Sequence, residues 1–407
     1  MIDPTASVRR ELRRRAGWVI RRLGAVPEGQ PDGLGEDASL AGAAFAETVI
    51  MVYPDAPSNL YQLRHWLPTL EALHSRLPTA ILVQDSRVAS QIRRETALHV
   101  YSVASYRTFE ALTERGTARL ALYAAHHTRN FQIMRRADLC HVYLGHGESD
   151  KAVSASNQLK AYDFTFVAGQ AAIDRASVLP FYDASGRAVV VGRPQLRGLL
   201  RGSRPAASRT TVLYAPTWEG GQESMSYGSL PWLGPQLIAG LIDGGFQVLY
   251  RPHPRTGISD PRHAAADAAV RKLIGNADVE HPNVRHRVTG RADVVQDFNS
   301  ADLLVTDVSA LVIDWLPTAR PVVVTKPSSI EEEPTPALKD LPRLSGDDDP
   351  LGVIRRVLDD GVDLEAREAL AAYYVAEVGD PYLAFATACD EVLQRHAAAR
   401  ASAIGRT

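Results

Sequence analysis

Three short polar clusters in this chain each follow an apolar run, and their residue types suit phosphate chemistry. In Ala301-Asp-Leu-Leu-Val-Thr-Asp-Val-Ser-Ala310 the run Leu303–Val305 stops at Thr306-Asp307, and a helix-like stretch begins at Ser309. A strand that ends in small polar residues at a helix start presents unpaired backbone N–H groups and the positive end of a dipole, which suits an anion. The second cluster, Gly145-His146-Gly147, closes the run Cys140-His-Val-Tyr-Leu144. Glycine on both sides lets the backbone come close to a ligand, and histidine is the side chain suited to take a proton near neutral pH. The third is Arg251-Pro-His-Pro254, fed by Phe246–Tyr250. Arg251 and His253 each precede a proline, which favours extended backbone, and residues two apart in an extended segment point the same way. A guanidinium and an imidazole aimed at one spot suit a diphosphate whose leaving half gains charge. Histidines and an anion site on the strand-end edges of parallel sheets imply an enzyme acting on a nucleotide diphosphate.

Further candidates lie nearby. Thr217, in Tyr214-Ala-Pro-Thr-Trp-Glu219, can donate to a phosphate oxygen, and Trp218 can pack on a base or ribose. Asp307 is placed to orient a donor or a hydroxyl, and Asp314 to bond a neighbouring loop. Asp150 and Lys151 follow the Gly-His-Gly cluster, Lys151 as a phosphate partner. Plainer readings stand beside these: Gly-His-Gly occurs at ordinary strand-to-helix turns, a tryptophan at such a place is more often core, and an Arg and a His in a rigid loop often satisfy local carbonyls. The chain has no Gly-x-x-x-x-Gly-Lys-Ser/Thr, no Gly-x-Gly-x-x-Gly at its first strand and no Gly-x-Ser-x-Gly. His126-His127 sit as neighbours in a helical pattern, the wrong spacing for two ligands on one face, and nothing demands a metal or a cofactor.

The elements that must hold these clusters are read from alternation. Thr48–Tyr53, Ala80–Val83, Leu139–Leu144, Phe164–Val167 and Ala188–Val191 form one set of buried strands. Thr211–Tyr214, Phe246–Tyr250, Val284–Val288, Leu303–Val305 and Pro321–Thr325 form another, with no clear strand after Pro336. Helical patterns fall between most of them, such as Leu60–Leu77, and another follows at Leu351–Asp359. Continuous β-branched runs alternating with helices predict parallel sheets covered on both faces. The expected organisation is a basic helix and linker over 1–42, an α/β domain over 43–195, a hinge within 192–209, and a second α/β domain over 205–365. Helices over 366–407, broken near Gly379-Asp-Pro381, return to the first half.

Composition narrows the class. In 407 residues, 45 basic side chains balance 47 acidic ones, which gives no reason to expect nucleic acid. Cys140 and Cys389 are the only cysteines, too few for a disulfide framework or a thiolate zinc site. No run approaches the about 18–20 apolar residues of a membrane span, and the start lacks a secretory signal, so the expected location is cytoplasmic. Arginines from Arg9 to Arg22 surround Val8, Leu12, Val19 and Leu23. Such a helix either lies on anionic lipid at the inner face of the membrane or packs, solvated, on the protein body.

Ala-Pro-Thr-Trp (215–218), Arg-Pro-His-Pro (251–254) and Ala-Asp-Leu-Leu-Val-Thr-Asp-Val-Ser-Ala (301–310) with Asp314 occur in an order that resembles the CDP-glycerol glycerophosphotransferases, the teichoic acid primases and polymerases. His146-Gly147 with Lys151 is similar to that family's upstream His-Gly motif. The resemblance implies a GT-B arrangement, two Rossmann-like domains with parallel sheets facing a central cleft. It implies transfer of glycerol phosphate from CDP-glycerol, or a similar CDP-polyol, to a hydroxyl of a polyol-phosphate or lipid-linked glycan acceptor, with release of CMP. His146 then resembles the base. Arg251 and His253 resemble the pyrophosphate clamp, assisted by Thr217, and Ser309 with Thr306 the helix-start phosphate site. Asp307 is similar to an acidic residue near the donor. Gly145 and Glu148-Ser149-Asp150 replace the aromatic and the Thr-Pro that family members often carry around His-Gly. The added acidic groups should repel an anionic acceptor chain, which leaves acceptor and polyol open. Two other readings remain: a GT-B glycosyltransferase using a nucleotide sugar, and a binding subunit without turnover.

Overall fold

The computed structural model describes residue 19 and residues 30–147, 156–202, 209–220, 228–290, 294–326, 338–359 and 364–404. The arginine-rich start, apart from Val19, and Lys151 lie outside the described residues. Seven strands make the first sheet: β1 (Val49–Tyr53), β2 (Thr79–Val83), β3 (His99–Ser102), β4 (Leu120–Tyr123), β5 (Cys140–Tyr143), β6 (Phe164–Val167) and β7 (Ala188–Val190). They run parallel in the order β3-β2-β1-β4-β5-β6-β7. Six strands make the second: β8 (Thr211–Ala215), β9 (Gln247–Tyr250), β10 (Arg287–Val288), β11 (Leu303–Thr306), β12 (Val322–Thr325) and β13 (Arg343–Leu344). Their order is β10-β9-β8-β11-β12-β13, again parallel. The order switches direction between β1 and β4 and between β8 and β11, the places where open α/β sheets leave a crevice at the strand ends.

The residues explain the layering. Val49, Met51 and Tyr53 pack with Ile81 and Val83 on one face of the first sheet, while Ile50 and Val52 pack with Ala80 and Leu82 on the other. Val212 and Tyr214 enter one cluster of the second sheet, and Leu213 and Ala215 the opposite one. A strand whose successive residues must all be apolar has helices on both sides, so the unbroken runs encode a three-layer domain.

Five expectations are corrected. β3 and β4 were not foreseen, because His99-Val-Tyr-Ser and Leu120-Ala-Leu-Tyr are four-residue runs without turn punctuation around them. β13 follows Pro336, where no strand was expected; its two residues pair with Val324 and Thr325 and owe their form to that neighbour. Only Arg287-Val288 of Val284–Val288 joins the sheet. The helix expected over Leu60–Leu77 is a 3-10 turn Pro57–Asn59 and helices Tyr61–Arg64 and Leu67–His74, interrupted at His65-Trp66. His126 and His127 likewise lie in the loop after β4 rather than in a helix.

The two domains are joined by more than the linker. The last helix, Pro381–Ile404, returns to the first sheet, where Phe385, Cys389 and Val392 complete the cluster that holds Trp66 and Phe166. Helix Leu364–Tyr374 meets helix Gln170–Ser177, with Tyr373 donating to Asp174 at 2.9 Å. The hinge strand-end is fixed by Arg320, whose guanidinium donates to the carbonyls of Leu200, Gly202, Phe298 and Ala301. Arg193, just after β7, makes a bidentate pair with Asp314 on helix Ala310–Trp315, both bonds 2.8 Å and both side chains buried. Breaking such a pair from one side strands a buried charge and costs about 3–5 kcal/mol. Asp314→Ala is therefore expected to lower stability by about that amount in urea unfolding, and Arg193→Met combined with Asp314→Leu to recover most of it.

Candidate active site

The strand ends of the two sheets confront each other, and glycine sets how closely. Gly145 turns the chain at φ 65° as it leaves β5, and its carbonyl is held by the indole N–H of Trp66 at 2.7 Å. That turn brings Gly147 against the start of helix Ala310–Trp315: a Cβ on Gly147 would stand 2.8 Å from the Ala310 Cβ. His146-Gly147 and Ser309-Ala310, far apart in sequence, are thus neighbours across the cleft.

His146 is crowded on all sides, and its Nδ1 is buried without a partner. Burial lowers its pKa to about 4, with His65, Arg193 and His126 adding to the effect and a hydrogen bond to the Ala124 backbone opposing it. The imidazole is therefore neutral at pH 7, the form able to accept a proton. His253 sits opposite. Its Nδ1 accepts from the Arg255 backbone N–H at 3.1 Å, which puts the proton on Nε2 and makes that nitrogen a donor. Its ring lies near-parallel to Trp218 at 6.1 Å, and Arg255 covers Trp218 at 4.2 Å.

Between the two histidines stands Tyr61. Its ring meets His146 edge-on at 5.8 Å and His253 at 5.4 Å, with His65 at 6.3 Å. Solvent reaches His65 through the cleft, yet burial lowers its pKa, opposed by Asp314 and reinforced by Arg193 and Arg251. A second bridge runs beside Tyr61: Asp55 accepts from the Asn59 amide at 2.8 Å, and Asn59 accepts from the Arg255 guanidinium at 3.0 Å. Tyr61, His65, Asn59, Arg193 and Arg255 escaped the sequence reading. Two signals pointed to them: Tyr61 and His65 share a face at i, i+4 spacing, and Arg255 directly follows Arg-Pro-His-Pro.

The other expected site residues divide. Arg251 and His253 do not aim at one spot: the Arg251 guanidinium bonds Asp297 at 2.5 Å, an oxygen also held by Thr289 at 2.7 Å, whereas His253 faces Tyr61. The proline after each residue and the pull of a buried carboxylate decide this. Thr306 donates its hydroxyl to the Ala215 carbonyl at 2.7 Å and is fully buried. Asp307 is also fully buried; desolvation raises its pKa against hydrogen bonds that lower it. It accepts from Thr325 at 2.5 Å and from the backbone of Thr217 at 2.6 Å and Ser229 at 3.2 Å. These two residues shape the ends of β8 and β11 and thereby set Thr217, rather than reaching the cleft. Ser309 caps its helix, accepting from Leu311 N–H at 3.3 Å. Glu219 holds the loop after Arg-Pro-His-Pro by accepting from Gly257, Ser259 and Asp260. An open pocket of about 630 Å³, lined by His253, Arg271, Arg287, Thr289, Gly290 and Asp297, extends from His253 along the second domain. Among the described residues no His, Cys, Asp and Glu group is placed to hold a metal ion.

Residues 200–329 match the sequence profile of the family described as CDP-Glycerol:Poly(glycerophosphate) glycerophosphotransferase, a segment that contains the motifs at 215–218, 251–254 and 301–310. No curated protein matches the chain in sequence. Among solved structures, a histidine-to-asparagine variant of the wall teichoic acid polymerase TagF matches with TM-score 0.57 at 13% identity, over 96% of this chain and 97% of that one. The same variant soaked for 15 minutes with CDPG matches with the same score and coverage. A glycosyltransferase from Rickettsia africae ESF-5 matches with TM-score 0.51 at 12% identity, over 86% of this chain and 98% of that one. The family resemblance is borne out over its C-terminal motifs, and the GT-B arrangement over the whole fold.

The Gly147–Ala310 contact makes its own test. Gly147→Ala overpacks the cleft and is expected to cost about 1–3 kcal/mol in thermal or urea unfolding. Adding Ala310→Gly removes the atom it meets and should restore most of the loss.

Proposed function

We propose that this chain transfers glycerol phosphate, or a related polyol phosphate, from a CDP-activated donor to an acceptor hydroxyl, releasing CMP. The observation that carries this reading is a neutral imidazole on one sheet edge facing an N–H-donating imidazole on the other, within a fold whose second domain matches a glycerophosphotransferase profile. The likeness to TagF, including the crystal soaked with CDPG, supports a CDP-glycerol donor through the shared fold.

In this mechanism His146 takes the proton of the acceptor hydroxyl. The oxygen attacks the phosphorus that bears glycerol, and the bond from that phosphorus to the bridging oxygen of CMP breaks. The leaving phosphate gains charge, which His253 Nε2–H stabilises directly, while Arg251, bonded to Asp297, acts only through its field. The Thr217 hydroxyl and the start of the Ser309-capped helix orient the diphosphate, and Lys151 supplies a further cation. Asp297 keeps the Arg251 fork fixed, so little reorganisation accompanies bond breaking. Most of the acceleration comes from positioning and preset charge. The pocket beside His253 is sized for the nucleoside half of the donor. The acceptor is a polyol-phosphate or lipid-linked glycan hydroxyl, approached from the first domain. Among the described residues no helix is long and apolar enough to cross a membrane. The Arg-rich start brings a cytoplasmic enzyme to the inner membrane face, where such an acceptor lies.

A donor panel of CDP-glycerol, CDP-ribitol and UDP-, GDP- and CMP-sugars, assayed for released nucleotide, tests the reading. Turnover with CDP-polyols alone is expected; turnover only with nucleotide sugars would establish the glycosyltransferase alternative. With the preferred donor, His146→Ala and His253→Ala should each lower kcat by about 100-fold or more while the circular dichroism spectrum is kept. The pH profile carries a sign. Because the folded-state pKa of His146 is lowered to about 4, the base is already deprotonated above that value. The acid limb of kcat/KM should therefore fall only as pH drops through about 4, not near the 6.5 of an ordinary histidine.

A further inference from the structure

We propose that Tyr61 is a positioning residue of this site, a ring that spaces the His146 base from His253 and closes water out between them. The inference rests on the phosphotransfer reading for its kinetic consequence and on geometry for the rest. Three imidazoles from three separate segments surround one phenol, each edge-on to it: His65 at 77°, His146 at 85° and His253 at 77°. Edge-to-face packing has a defined centroid separation, so a ring with both catalytic imidazoles on it fixes the gap between them. The loop that carries Tyr61 is itself anchored across the cleft. Asn59, two residues earlier, meets Arg255, two residues beyond His253. The same short stretch, Asp55 to His65, therefore touches the base of one domain and the clamp of the other.

Tyr61 is well buried, and desolvation raises its pKa, so it stays a neutral phenol. Its ring is one of the apolar surfaces that dehydrate His146. The charged and titratable groups that face His146 are His65 on the same loop, Arg193 at the hinge and His126 after β4. Of these, His65 also packs on Tyr61, so a change in the His146 titration would report the ring together with the His65 it holds.

The test uses Tyr61→Phe, Tyr61→Leu and Tyr61→Ala in the full chain, each checked by thermal unfolding. The first readout needs no substrate: histidine C–H resonances are followed by NMR between pH 5 and 8, with His146 assigned by its loss in His146→Gln. In the unsubstituted protein and in Tyr61→Phe, His146 is expected not to titrate in this window; in Tyr61→Ala a midpoint should enter it, with Tyr61→Leu between. The second readout is CMP release, where Tyr61→Ala should lose about 100-fold in kcat with KM changed far less, and Tyr61→Phe should stay near the parent. A Tyr61→Ala protein that folds, leaves His146 untitrated and keeps kcat overturns the proposal, as does one that alters KM alone. If the parent releases no CMP from any donor, the function is refuted while the NMR comparison still decides the role of Tyr61.

Discussion

The buried pair of Arg193 and Asp314 is the constraint from which the geometry of the cleft follows. Arg193 leaves the last strand of the first sheet, and Asp314 lies one turn into the helix whose start meets Gly147. Two parallel bonds between planar groups allow little rotation, so the pair fixes the second domain in orientation as well as in distance. Two apolar side chains of similar volume could hold the domains together with comparable stability, but they would leave the angle free. Charge is used here for register. His65, beside both partners, inherits a field from the same pair.

Much of the architecture was legible because parallel sheets write their burial into unbroken apolar runs. β1, β2, β5, β6, β8, β9, β11 and β12 carry that mark, while β3 (His99-Val-Tyr-Ser) begins and ends polar, β4 (Leu120-Ala-Leu-Tyr) has no β-branched residue and β13 has only two residues. Of the site, His146 and His253 stood out because glycine or proline flanks them and says that the backbone does something special there. Thr306 and Asp307 show the limit of such reading. A polar residue at a strand end looks the same in sequence whether it faces a cleft or bonds its own sheet, and here both bond inward. Arg251 was expected to aim with His253, but a buried carboxylate 46 residues further on, Asp297 in α-helix Val294–Ser300, claims its guanidinium. Tyr61 left only its i, i+4 spacing with His65, and an aromatic in an amphipathic stretch is ordinarily core.

The cleft is a case of chemistry obtained from dryness. No unusual residue is needed to keep His146 neutral; burial, with Tyr61 against its ring, strips water from it, and three cationic or imidazole neighbours discourage a proton further. The opposite edge works by the reverse principle, with groups held in place by fixed partners: the Arg255 amide donates to His253 Nδ1, while Asp297 accepts from Arg251 and Asp307 from the Thr217 backbone. In the proposed mechanism one wall receives a proton and the other meets negative charge.

The return of helix Pro381–Ile404 to the first sheet has a consequence for how the chain comes into being. Phe385, Cys389 and Val392 fill the same cluster as Trp66, Val142 and Phe166. During synthesis the amino-terminal half emerges first, yet the residues that seal its core leave the ribosome only after the whole second sheet. Until then Trp66, whose indole later fixes the turn before His146, has an open flank. The half-made chain is thus an exposed apolar surface waiting for its lid, and the His146 side of the cleft can be finished only after the His253 side has already been translated.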